Sequence, residues 1–102
     1  MMKMIKQLVI AIGLMLPMIC AHADVDKRAR DLSASCAACH GTNGNSAGGF
    51  PMLASLDKAY FVAQMKDFKS GARPATVMHQ LSKGFTEEEF ELMGSFFAAQ
   101  KR

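Results

Sequence analysis

The chain has 102 residues, half of them apolar, with 12 Lys and Arg against 9 Asp and Glu, a formal charge of +3. That length admits one small domain. So slight a basic excess leaves no electrostatic footprint for a nucleic-acid partner.

Residues 1–23 read as a cleaved secretory signal. Lys3 and Lys6 precede an apolar run of 13 residues from Leu8 to Cys20, and Ala21-His22-Ala23 supplies small residues for signal peptidase, with cleavage before Asp24. The run is short for a bilayer span, so no stable membrane insertion is expected after cleavage, a retained anchor being the alternative. Bulky Ile19 before Cys20 argues against lipidation there. The expected product is a periplasmic domain, residues 24–102, with 10 cations against 9 acids and with Cys36 and Cys39 as its only thiols. At 79 residues it stands near the lower limit for a chain relying on its own apolar core.

The first element of that domain reads as a helix from Asp24 to Cys39, with Val25, Ala29, Leu32, Cys36 and Cys39 along one stripe. It ends in Cys36-Ala37-Ala38-Cys39-His40, the C-x-x-C-H pattern of covalent haem attachment. On a helix, Cys36 is three residues from Cys39 and four from His40, so all three project from one face and meet one flat ligand. The thiols would add to the two porphyrin vinyl groups and His40 would ligate the iron. A dithiol redox pair and half of a zinc site are the rival readings. Zinc needs about four protein ligands, and beyond this cluster the domain offers no second cysteine pair and only His79 as a further imidazole. A thioredoxin-like site needs strands alternating with helices, and no such alternation appears. A buried porphyrin would also add apolar surface that this small core lacks.

Gly41 to Gly49 reads as an irregular loop, rich in Gly and Asn. Its glycine spacing matches no phosphate-binding pattern. Pro51 follows, either as a stiff residue whose carbonyl orients the second ring nitrogen of His40 or simply as a loop terminator. Asp57 caps a second helix running to about Ser70, with Phe61, Met65 and Phe68 on one face and Gly71 closing it. Residues 72–85 read as irregular, punctuated by Pro74 and Gly84. Thr86 to Glu89 opens the last helix with a capping box, and Phe90, Met93 and Phe97 recur at helical spacing. The acids at 87–91 read as a solvated helix start. The expected fold is all-α, three main helices and loops around one haem, with the first and last helices in contact.

The function of such a site turns on what stands opposite His40. Met65 and Met93 fall on core stripes, and Met52 follows His40 so closely that reaching the other face of the ring is difficult. Met78 is the leading reading for the second iron ligand, with the adjacent His79 as its rival. With both axial positions filled, the iron exchanges an electron without readily binding substrate. No catalytic residue is assigned. The competing reading is a ligand-binding or gas-sensing haem protein with a labile sixth ligand.

With C-A-A-C-H near the start of the domain, Gly-Asn-Ser in the next loop, Pro51-Met52-Leu53 and a distal methionine before a final helix, the chain resembles class I c-type cytochromes. Phe68 to Met78 and Lys83 to Glu89 are similar, more narrowly, to the haem subunit of flavocytochrome c sulfide dehydrogenases. The resemblance implies one haem c on Cys36 and Cys39, axial ligation by His40 and Met78, and a Pro51 carbonyl orienting His40. It also implies redox partner proteins, among them a flavoprotein sulfide dehydrogenase subunit. One C-x-x-C-H permits one haem, a departure from the two-haem relatives, and Leu81 stands where those often carry a further methionine.

Overall fold

A computed structural model describes residues 26–102. The expected export signal, Cys20 and Val25 lie outside the described residues. Five helical segments follow in chain order. Helix α1 covers residues 26–33, tightens into a 3-10 turn at Ala34–Cys36, and continues as α2, Ala37–His40. After a second 3-10 turn at Thr42–Gly44 come α3, Lys58–Ser70, α4, Val77–Ser82, and α5, Glu87–Ala98. Among the described residues there is no strand. None of their helices is long and apolar enough to cross a membrane.

Local chemistry accounts for the boundaries. Asp57 Oδ2 accepts the Tyr60 N–H at 3.1 Å and starts α3. Gly71, at φ +88°, ends it by returning its N–H to the Asp67 carbonyl. At α5 the Thr86 hydroxyl accepts the Glu89 N–H at 3.2 Å while the Glu89 carboxylate accepts the Thr86 N–H at 2.9 Å. This reciprocal pair is the expected capping box, and the three acids of the first turn favour the positive end of the helix dipole.

The core forms where α3 crosses α5. Phe61, Val62 and Met65 from α3 meet Phe90, Met93 and Phe97 from α5, and all six are buried. Phe61 and Phe97 lie with ring centroids 5.5 Å apart. Each such side chain contributes roughly 1.5–3 kcal/mol of burial. The helices approach closely because Gly94 faces α3, where an added Cβ would stand 3.2 Å from both Lys58 Cγ and Phe61 Cδ1. Met65 and Met93 are therefore core residues, as their spacing indicates.

Helix α1 reaches the start of α5 through Arg28, whose guanidinium lies 3.1 Å from Glu88 and 3.8 Å from Glu89. Glu91 pairs with Lys58 at 3.3 Å and Glu87 with Lys66 at 3.9 Å. The acids at 87–91 are a largely solvated helix start that also joins α5 to α1 and α3 by exposed pairs of small individual worth.

Two local expectations need correction. Residues 72–85 are not irregular throughout, because Val77 to Ser82 form α4. Pro74 and Gly84 mark the edges of that segment, and nothing between them breaks a helix. The Gly-rich loop likewise contains the ordered turn at Thr42–Gly44. Loop composition signals positive φ without excluding a defined backbone.

Candidate functional site

The helical run from α1 into α2 carries both thiols and His40. Cys36 is half-buried against the α3–α5 core and Cys39 is exposed, and both are free thiols. Burial pushes the Cys36 thiol up, opposed by a hydrogen bond from Ser35 and reinforced by neighbouring Cys39. A thiol held protonated lacks the activation of a dithiol oxidoreductase. Among the described residues no three His, Cys, Asp or Glu side chains gather as a metal-ion site, so tetrahedral zinc finds no ligand set.

Behind the motif the chain doubles back. Gly41 has φ +84°, and a Cβ there would lie 2.2 Å from the Asn45 carbonyl oxygen. Gly44, at φ +76°, lets its carbonyl accept from both Leu53 N–H at 2.9 Å and Ala54 N–H at 3.1 Å. This fold-back brings residue 51 beside residue 40. His40 Nδ1 donates to the Pro51 carbonyl at 2.7 Å. A carbonyl only accepts, so Nδ1 carries the hydrogen and Nε2 keeps its lone pair for a metal. Phe50 meets the imidazole edge-on at 6.1 Å.

The C-terminal tail braces the same loop. Asn45 Nδ2 donates to the Lys101 carbonyl at 2.9 Å, Ser55 Oγ to the Gln100 carbonyl at 2.7 Å, and Arg102 Nε to the Ala54 carbonyl at 3.1 Å. Sequence reading finds neither these contacts nor the role of Gly44. They join residues 45 to 56 positions apart, and no periodicity or motif signals such a pairing.

The second expected ligand approaches from the other half. Met78, in the first turn of α4, is half-buried and packs against the core cluster that Cys36 also touches. His79 makes a bond of the same kind as His40. Its Nδ1 donates to the Phe68 carbonyl at 2.7 Å, near the end of α3. Both candidates therefore keep a donor atom, the Met78 sulfur and, as at His40, the Nε2 lone pair of His79.

Several large apolar side chains stand exposed around these residues: Phe50 at 56%, Val77 at 61% and Leu81 at 53%. Each offers apolar surface to a group bound beside it. Two free thiols on one helical face, an imidazole with an oriented lone pair, a thioether on the same core and uncovered apolar surface together fit a haem c.

Residues 27–96 match the cytochrome c family. The chain belongs to that family. Its members hold a covalently bound haem c and work in electron transfer, and the helical fold accords with this.

Among known proteins, the chain is 42% identical over 72 residues to the cytochrome subunit of sulfide dehydrogenase from Chlorobaculum tepidum, covering 71% of this chain and 66% of that one. It is 39% identical over 83 residues to cytochrome c4 from Pseudomonas aeruginosa, covering 79% of this chain and 41% of that one. A thiosulfate dehydrogenase electron acceptor from Stutzerimonas stutzeri is 37% identical over 67 residues, which are 64% of this chain and 31% of that protein. The chain thus spans slightly less than two thirds of the first relative and under half of the other two.

Proposed function

We propose that this chain is a periplasmic monohaem electron carrier, exported by a cleaved signal over residues 1–23. In this reading Cys36 and Cys39 would hold one haem c by thioether bonds, and His40 and Met78 would supply the protein ligands of its iron. When bound, the haem iron carries one electron by alternating between Fe(III) and Fe(II).

The observation that carries the reading is the His40 to Pro51 hydrogen bond at 2.7 Å, made beside two free thiols. It fixes the tautomer, aims Nε2 and raises its basicity as a ligand. Pro51 suits the task because it brings a carbonyl in a stiff backbone. Met78 would supply a soft, neutral sulfur, which favours Fe(II) over Fe(III) and raises the potential. With His40 and Met78 both committed as ligands, the protein would leave no open position for an exogenous ligand. The apolar side chains of Phe50, Val77 and Leu81 would exclude water from the ring.

The relative named as the cytochrome subunit of sulfide dehydrogenase supports a donor of that kind, in our reading a flavoprotein subunit that passes electrons to this chain, and the relative named as a thiosulfate dehydrogenase electron acceptor supports the accepting role. Nothing in the site provides for oxidising sulfur compounds, so that chemistry would belong to the partner.

Intact-mass analysis of protein matured in a periplasm with haem-attachment machinery tests the attachment. One haem per chain, retained in acidified organic solvent and starting at Asp24, is expected. Colour that extracts freely would refute it. Native purification followed by flavin analysis tests the partner, with a co-purifying flavoprotein expected.

A further inference from the structure

We propose that His79 is a positioning residue that sets how firmly Met78 holds the iron, acting through its hydrogen bond to the end of α3. The inference rests on Met78 being the distal ligand. Helix α4 has six residues and no side-chain cap at its start, so it has little stability of its own. What fixes it is contact with α3. His79 Nδ1 donates to the Phe68 carbonyl at 2.7 Å, in the last turn of α3. The same ring lies against Gly71, where an added Cβ would stand 3.7 Å from His79 Cε1. Met78 is the next residue in the chain, so any rotation or slide of α4 that breaks this bond also moves the sulfur.

Other contacts close the turn around this point without replacing it. Buried Ser82 bonds back to the His79 carbonyl at 3.1 Å, within α4 itself. Lys69 Nζ reaches the Phe85 carbonyl at 2.5 Å, beyond the far end of α4. Only the imidazole ties the half of α4 that holds Met78 to α3 by a side-chain hydrogen bond. In this reading His79 anchors Met78 and does not itself ligate the iron.

The test uses haem-loaded protein carrying His79→Leu, His79→Phe or His79→Asn, with Met78→Ala as control. Leu and Phe remove the donor, and Phe keeps a ring against Gly71. Asn keeps an N–H the same number of bonds from Cα as Nδ1. The readouts are the rate at which carbon monoxide binds the ferrous protein and the near-infrared sulfur-to-iron band of the ferric protein. Leu and Phe should each bind carbon monoxide about 2- to 10-fold faster, the range expected for one lost neutral hydrogen bond, and weaken the band. Asn should stay within about 2-fold of wild type by the same scale. Wild-type behaviour in Leu or Phe would overturn the proposal, and so would an equal rise in Asn. Met78→Ala separates the two claims: if that variant keeps the band, the ligand reading fails, whereas loss of the band with no response at position 79 refutes the positioning role alone.

Discussion

The stretch from Cys36 to Ala54 and the stretch from Val77 to Phe85 both pack against one core and are held by different means. The first is locked by backbone geometry. Gly44 receives two main-chain N–H groups, Ser55 N–H reaches the Phe97 carbonyl at 2.9 Å, and the tail from Gln100 to Arg102 adds three side-chain bonds. The second is held to α3 by side-chain donors, His79 and Lys69, each reaching one carbonyl. Backbone closure leaves few soft torsions, whereas a long side chain can release and reform its bond. In the proposed site the His40 side is therefore the fixed wall and the Met78 side the adjustable one.

The largest expected effect comes from breaking the fixed wall. At Gly44 a Cβ would lie 2.8 Å from both Ala54 N and Leu53 Cβ and 2.9 Å from Phe97 Cδ1, on a backbone at φ +76°. Gly44→Ala should cost about 2–5 kcal/mol, combining left-handed strain with overpacking. Denaturant titration of the haem-loaded protein measures it, and a cost under about 1 kcal/mol would contradict a closed wall.

On the adjustable side, Lys69→Met should destabilise by about 1.5–3 kcal/mol, the worth of a hydrogen bond from a charged group. The loss should appear chiefly as faster amide exchange in residues 77–85, with residues 41–54 unchanged. Equal acceleration in both stretches would erase the contrast. Thr86→Ala is a control between them. It removes the cap of α5, which both sides share, and should cost about 1 kcal/mol without favouring either stretch.

A chemical contrast within the motif gives a smaller signal. Burial raises the Cys36 thiol above its usual range while Cys39 is exposed. At mildly alkaline pH, haem-free protein should therefore be alkylated first at Cys39. The lag at Cys36 should shrink as the pH rises and more of its thiol ionises. Peptide mapping after brief iodoacetamide treatment reads the order.

The fixed wall was partly legible in the sequence. C-x-x-C-H states its chemistry in five consecutive residues, and Pro51 could be nominated as the acceptor for His40. The core stripes of α3 and α5, the Asp57 cap, the Gly71 stop and the Thr86 capping box are also local patterns that sequence displays. The adjustable side was less legible. Helix α4 is too short for periodicity to register, and the bonds of His79 and Lys69 join residues 11 and 16 positions apart with no motif between them. The contacts of Asn45 and Ser55 with the tail are longer still. What escaped is tertiary pairing between polar side chains and carbonyls, which depends on how helices end rather than on which residues they contain.

The central claim is that an iron porphyrin bridges these two walls, with His40 on one and Met78 on the other. The near-infrared absorption and reduction potential of ferric Met78→Ala, compared with wild type, test it most directly. Loss of the sulfur-to-iron band together with a lower potential is the predicted result. A variant that keeps both the band and the potential would contradict the account.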